Sequence, residues 1–254
     1  MSIPTLPPLH LLQMQTPSPL AAGPAARVAL VMLHGLGMDP QVLRPFVASL
    51  AMPAQAVFPT GPARTESGLP TWWPVDAARR AERLAAGPCD LHDRHPAGRL
   101  EARRALGAVL RQVDAATGGL PIVLAGYSQG GMLAMDYALL GEPADAGSPA
   151  WPPAPRPAAL ALFSSSCIAL DEWRPQLPRL AGLPALVAHG RDDDDLDYRA
   201  GERLRDTLVD AGARVRWLPF DGGHVLPLVV WRALRRFVVE CADTLAPLPV
   251  PQAA

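Results

Sequence analysis

The pentapeptide Gly126-Tyr127-Ser128-Gln129-Gly130 constrains this chain more than any other stretch, because of what flanks it. Before it, Pro121-Ile122-Val123-Leu124-Ala125 is a short apolar run of the kind that makes a buried strand. After it, Gly131-Met132-Leu133-Ala134-Met135-Asp136-Tyr137-Ala138 is rich in helix formers. A chain that leaves a buried strand and enters a helix within a residue or two must turn sharply, and the residue at the apex is held in a strained conformation. Side chains two positions to either side would collide with such a turn, which accounts for Gly126 and Gly130. A serine there presents its hydroxyl at a strand end, beside the N–H groups and partial positive charge of a helix N-terminus. Those are the requirements of a nucleophile that attacks a carbonyl.

A serine nucleophile needs a base and an acid that orients it, in the chain order serine, acid, histidine for this kind of turn. Leu183-Pro184-Ala185-Leu186-Val187-Ala188-His189-Gly190 reads as another buried strand running into a turn, followed by Arg191 and the run Asp192 to Asp195. Val215-Arg216-Trp217-Leu218-Pro219-Phe220 is strand-like and empties into Asp221-Gly222-Gly223-His224. Ser128, an aspartate within 192–195 and His224 thus each follow a separate strand, and functional groups of open α/β sheets collect at the carboxyl ends of strands. In the roles this implies, His224 takes the Ser128 proton and returns it to the leaving group, while the aspartate orients the imidazole and stabilises its cation.

Val28-Ala29-Leu30-Val31-Met32-Leu33 is a further apolar run, ending in His34-Gly35-Leu36-Gly37. An oxyanion needs two N–H donors, one after the nucleophile and one from an early strand-to-helix loop; Gln129 and Leu36 fit these two places. His34 is read as shaping its loop through hydrogen bonds, and His189 as a structural residue at a strand end.

Strand-like and helix-like patterns alternate along the chain. Strands are expected at 27–33, 55–59, 121–126, 158–163, 184–189 and 214–219, with helices near 40–51, 99–117, 129–140, 198–211 and 227–244. In the helix at 99–117, Leu100, Leu106, Val109, Leu110 and Val113 are assigned to one face and the arginines to the other. Such alternation predicts the α/β class, with a mostly parallel central sheet covered by helices on both faces. One domain over 24–246 is expected, with a loose extension at 1–23 and a flexible tail at 247–254. Gly141 to Pro157, with six prolines, is a surface excursion. Residues 61–98 break the alternation and are expected to form a loop or lid, since long insertions in compact domains are usually functional.

Composition removes several classes of chemistry. All 23 basic residues are arginine, so serine–lysine dyads and lysine Schiff bases are excluded, and the absence of Asn excludes N-glycosylation. A net charge of −1 gives no electrostatic footprint for nucleic acid. Cys89, Cys167 and Cys241 are scattered and odd in number, which argues against a disulfide framework and for a reducing compartment. Met1 to Gly23 has no Lys or Arg and five prolines, so neither a signal peptide nor a membrane anchor is expected there. Localisation is accordingly expected to be cytoplasmic, without stable membrane insertion; a homodimer is allowed. No metal or cofactor is expected. His92-Asp93-Arg94-His95 suits no helix or finger spacing, and Asp192 to Asp195 lacks the spaced ligands and glycine of a calcium loop.

The chain resembles the phospholipase/carboxylesterase family of α/β-hydrolases, which includes the acyl-protein thioesterases. The resemblance rests on Leu33-His34-Gly35-Leu36-Gly37, on Gly126-Tyr127-Ser128-Gln129-Gly130-Gly131, on His189-Gly190-x-x-Asp193 and on Gly223-His224, and spans most of residues 27–240. It implies the α/β-hydrolase fold and a triad of Ser128, Asp193 and His224, the acid standing three residues after the glycine of its His-Gly turn. It also implies oxyanion donors at Leu36 and Gln129. A Trp-aromatic-x-Asp segment lining the family's acyl site is echoed by Trp72-Trp73-Pro74-Val75-Asp76, and Trp72, Trp73 and Met132 are the candidate substrate contacts. The family usually has Asp directly after the second glycine of the first motif, whereas Met38 precedes Asp39 here. The implied activity is hydrolysis of small carboxylic esters of short to medium acyl length through an acyl-enzyme. Lysophospholipase and acyl-protein thioesterase are the alternatives within enzymes, and a non-catalytic hydrolase-fold binding module is the alternative outside them.

Overall fold

The structure is a computed structural model that describes residues 26–143 and 153–245. The expected extension at 1–23, the tail at 247–254 and much of the proline-rich excursion fall outside the described residues.

The apolar runs form strands within a residue or two of their expected bounds: β1 (Val28–Leu33), β2 (Ala54–Val57), β5 (Ile122–Tyr127), β6 (Ala159–Phe163), β7 (Pro184–Gly190) and β8 (Arg214–Phe220), with a small hairpin of β3 (Ala63–Arg64) and β4 (Pro70–Thr71) outside the main sheet. The main sheet has the order β2-β1-β5-β6-β7-β8, and every neighbouring pair is parallel. The helices are α1 (Arg44–Ser49), α2 (Ala77–Ala85), α3 (Arg99–Thr117), α4 (Gln129–Leu140), the single turn α5 (Leu170–Trp173), α6 (Tyr198–Asp210) and α7 (Leu228–Leu245). A 3₁₀ turn at Pro40–Leu43 replaces the first half of the helix expected at 40–51.

Both faces of the central strands β1, β5, β6 and β7 are buried, which is why these read as unbroken apolar runs and not as alternating ones. Ala29, Val31 and Leu33 of β1 pack with α3, α4 and α6, while Val28, Leu30 and Met32 pack with α1 and α7 on the opposite face. Every residue of β1, β5 and β6 is buried. Because β2 lies on one side of β1 and β5 on the other, the chain leaves the carboxyl ends of β1 and β5 in opposite directions. That divergence opens a crevice where ligands of open α/β sheets bind.

Two sequence expectations are corrected here. In α3 the buried stripe is Ala102, Leu106, Leu110 and Val113 together with Arg99 and Arg103, while Leu100 is 44% exposed. The arginines turn inward because Asp136 of α4 is fully buried beneath them: Arg99 Nη1 stands 3.6 Å from Asp136 Oδ1 and Arg103 Nε 3.4 Å from Oδ2. The indole N–H of Trp173 completes the cluster, donating to Asp136 Oδ1 at 2.6 Å. Residues 61–98 are also more regular than expected, for they hold the β3–β4 hairpin and α2, whose N-cap Asp76 accepts from the Arg79 N–H. Helix α2 buries none of its residues. Among the described residues, no helix is long and apolar enough to cross a membrane.

Candidate active site

Ser128 is the single residue between β5 and α4, with φ 53° and ψ −118°, a conformation that residues with a side chain rarely adopt. The surrounding backbone holds it there. Its N–H donates to Phe163 O at 2.9 Å, and its carbonyl accepts from the Gly131 N–H at 3.0 Å and from the Ser165 hydroxyl at 3.0 Å. The glycines follow from close approach of main chain. A Cβ on Gly126 would lie 2.3 Å from Gly130 O, and one on Gly130 would lie 2.6 Å from both Leu33 O and His34 O.

The ends of β7 and β8 meet this turn. His224 Nε2 lies 2.9 Å from Ser128 Oγ, and His224 Nδ1 lies 2.8 Å from Asp193 Oδ2. A carboxylate can only accept, so Nδ1 carries the proton and Nε2 is free to accept from the serine hydroxyl. Within the acidic run Asp193 alone is buried; Asp192 and Asp194 are exposed and Asp195 is intermediate. Asp193 Oδ1 accepts the N–H groups of Asp195 at 3.0 Å and Leu196 at 2.9 Å. Burial by itself would raise the Asp193 carboxyl, but hydrogen bonds from His189, His224 and the Leu196 N–H outweigh it and hold the group well below the ordinary carboxylate range.

Three contacts around this chain of residues had no local signal in the sequence. His189 Nε2 donates to Leu196 O at 3.0 Å and stands 3.3 Å from Asp193 Oδ2, so the strand-end histidine touches the acid directly. The Tyr127 hydroxyl donates to His224 O at 2.7 Å, with its ring 5.1 Å from the imidazole. Burial pushes the Tyr127 phenol up, so it stays a donor. The Gln129 side chain fastens the segment 71–73: its Oε1 accepts from the Trp72 N–H at 2.9 Å, with the Thr71 hydroxyl 2.8 Å away, and its Nε2 donates to Trp73 O at 3.1 Å.

The loop after β1 closes the site from the other side. His34 Nδ1 donates to Gly35 O at 2.7 Å, and Nε2 accepts from the Gly61 N–H at 2.9 Å, which fixes the tautomer; burial lowers its pKa and keeps it neutral. Trp72 stacks on His34 at 4.9 Å and donates its indole N–H to His34 O at 2.9 Å, so it is taken up with holding this loop. The Gly37 N–H donates to Pro70 O, leaving Leu36 at the crevice next to Ser128. Gln129 opens α4, so its N–H, like those of any helix's first turn, has no intrahelical acceptor.

Two cavities open on Ser128. The larger, of about 660 Å³, is lined by Leu36, Gln129, Trp73 and Met132 and by arginines of α2. The smaller, of about 390 Å³, is lined by Gly35, Met38, Tyr127 and His224. The cluster at 92–95 disperses: His95 pairs with Asp171 at 2.9 Å, His92 with Asp90 at 3.2 Å and Arg94 with Asp93 at 3.5 Å. Among the described residues no group of His, Cys, Asp and Glu is disposed to hold a metal ion.

No protein-family model matches the sequence. Among solved structures, the chain is similar to esterase PE8, with a TM-score of 0.67 and 26% identity over 85% of this chain and 93% of that one. It is also similar to a point variant of SOBER1 from Arabidopsis thaliana, with a TM-score of 0.65 and 22% identity over 84% and 99% of the two chains. Acyl-protein thioesterase 2 from Zea mays shares the fold at a TM-score of 0.60 and 19% identity over 84% and 95%. The chain has the α/β-hydrolase fold of these esterase and thioesterase structures.

Proposed function

We propose that this α/β-hydrolase-fold protein is a serine esterase of the phospholipase/carboxylesterase type that cleaves carboxylic esters through an acyl-enzyme on Ser128. The observation that carries the proposal is the unbroken chain Asp193–His224–Ser128, with contacts of 2.8 and 2.9 Å, ending on a serine in a strained turn. In the proposed reaction Ser128 Oγ bonds to the ester carbonyl carbon as its proton passes to His224 Nε2. The oxyanion that forms accepts from the Leu36 and Gln129 N–H groups. Collapse breaks the bond to the alcohol, which leaves with the proton from His224. Water, deprotonated by the same nitrogen, then attacks the acyl carbon; the bond to Ser128 Oγ breaks, Oγ takes the proton back from His224, and the carboxylic acid leaves. Asp193 stays ionised throughout and offsets the charge of the imidazolium.

His224 must reach the departing oxygen and lines the smaller cavity, which supports that side for the alcohol. The larger cavity then takes the acyl chain along Trp73 and Met132, with residues 61–98 as its outer wall. The test is labelling with a fluorophosphonate together with turnover of 4-nitrophenyl esters and a palmitoyl thioester. Wild type should be labelled on Ser128, and Ser128→Ala should lose label and several orders of magnitude in kcat while keeping its melting temperature. Labelling at Ser164, Ser165 or Ser166 would overturn the assignment.

A further inference from the structure

We infer that the acyl part of the substrate carries an anionic group, a carboxylate, at the end remote from the scissile ester; this deepens the esterase reading and rests on it. The larger cavity is lined by apolar residues, among them Leu36, Trp73, Met132, Leu91 and Leu196, and by a cluster of guanidinium groups. Arg79, Arg80 and Arg83 of α2 and Arg94 of the following segment all line it, against three carboxylates, those of Asp76, Asp93 and Asp195. The carboxylates are committed. Asp76 caps α2 and lies 3.7 Å from Arg79 Nε, and Asp93 lies 3.5 Å from Arg94 Nε. Asp195 is shared, for it pairs with Arg80 and, at 3.2 Å, with Arg83.

That sharing leaves donors over. Two guanidiniums offer about ten N–H groups, whereas one carboxylate has roughly four acceptor sites, and Arg83 spends Nη1 besides on Cys89 Sγ and the Asp195 carbonyl, which still leaves donors on both side chains. Both arginine side chains are about two-thirds or more buried, at 33% and 27% exposure, so their charge is less screened than that of a surface group. Arg80 also lines the smaller cavity, so it stands between the two. No residue of helix α2 is fully buried, so apolar packing against the core does little to place it. The ionic contacts of Arg80 and Arg83 with Asp195 hold it and turn these two side chains to the cavity. A carboxylate at the end of an acyl chain would be the fourth anion among four cations. It would be held by charge-assisted, bidentate geometry that a neutral chain end does not supply.

The experiment compares the mono-4-nitrophenyl esters of adipic and suberic acid with the same molecules capped as methyl esters, which differ in charge and hardly in length. Wild type should show kcat/KM about tenfold higher for the anionic member of each pair, the discrimination a charge-assisted hydrogen bond provides. The advantage should lie in KM and shrink as ionic strength rises. Arg80→Gln and Arg83→Gln should each reduce the anionic-to-neutral ratio towards one. An equal or better rate for the capped ester in wild type overturns the inference, and so does an anionic preference that survives both substitutions. Binding of adipate by calorimetry provides a second readout independent of turnover. If Ser128 takes no fluorophosphonate and neither ester is cleaved, the esterase reading fails, while adipate binding that is lost in Arg83→Gln still upholds the anion site and its absence still refutes it.

Discussion

Replacing Asp193 by Asn changes one atom, and the structure indicates what that atom does. Asp193 Oδ1 faces two backbone N–H groups, those of Asp195 and Leu196, and both need an acceptor. In Asp193→Asn the amide oxygen therefore stays on that side, and the NH₂ group is directed at His224 Nδ1 and His189 Nε2. Two donors then oppose each other across 2.8 Å. His224 relieves the clash by moving its proton to Nε2, where it can no longer accept from Ser128, 2.9 Å away. The base is present but in the wrong tautomer, a defect that costs about 10⁴-fold in kcat in other triads. That factor corresponds to roughly 5.5 kcal/mol of activation free energy. The assay is kcat for 4-nitrophenyl butyrate in Asp→Asn variants at each of 192, 193, 194 and 195, with circular dichroism and thermal melting to show that each is folded. Exposed Asp192 and Asp194 should lose little, and Asp195 should change substrate preference more than kcat on this neutral ester. An Asp193→Asn enzyme that keeps a tenth of wild-type kcat, or a larger loss at any neighbour, would refute the reasoning.

Trp73→Ala should leave acetate esters nearly untouched and penalise octanoate, because each methylene lying against the lost surface contributes up to about 0.8 kcal/mol; a chain-length profile of kcat/KM identical to wild type would remove Trp73 from the acyl path. Trp72→Ala, by contrast, removes a fully buried ring and should lower stability by about 3–5 kcal/mol, read as a loss in melting temperature that is independent of the ester used. Because the Asp193 carboxyl is held below its ordinary value in the folded protein, it adds stability above the unfolded carboxylate range, about pH 4, and that contribution drains away as pH falls through the lower folded value; melting temperature measured from about pH 6 downward should thus fall more steeply in wild type than in Asp193→Asn. A Cβ on Gly201 would lie 2.5 Å from the His189 ring, so Gly201→Ala should cost about 1–3 kcal/mol of stability and also reduce kcat through His189 and Asp193; unchanged kcat in a destabilised variant would mean that His189 merely packs.

The parts of this molecule that could be read from the chain are those stabilised by burying apolar surface, because that force leaves a local pattern. β1, β5, β6 and β7 announce themselves as apolar runs since both sheet faces are covered, and the turn at Ser128 announces itself since main chain passes within contact distance of Gly126 and Gly130. The residues alone left four adjacent aspartates open, and only the family resemblance pointed to Asp193, which the structure buries. What could not be read is held by charge or by polar atoms from distant segments. Arg99 and Arg103 look like surface residues until Asp136, from another helix, is set beneath them, and the phenol of Tyr127 carries no hint that it will meet the carbonyl of His224. Helix α2 is the extreme case. It is short and arginine-rich with no fully buried residue, and its position depends on Asp195, more than a hundred residues further along the chain. The proposed reacting groups therefore lie on elements that a sequence discloses, while the wall proposed to select the substrate depends on contacts it conceals. This is why chemistry could be proposed from residues alone, and an anionic acyl chain only from their arrangement.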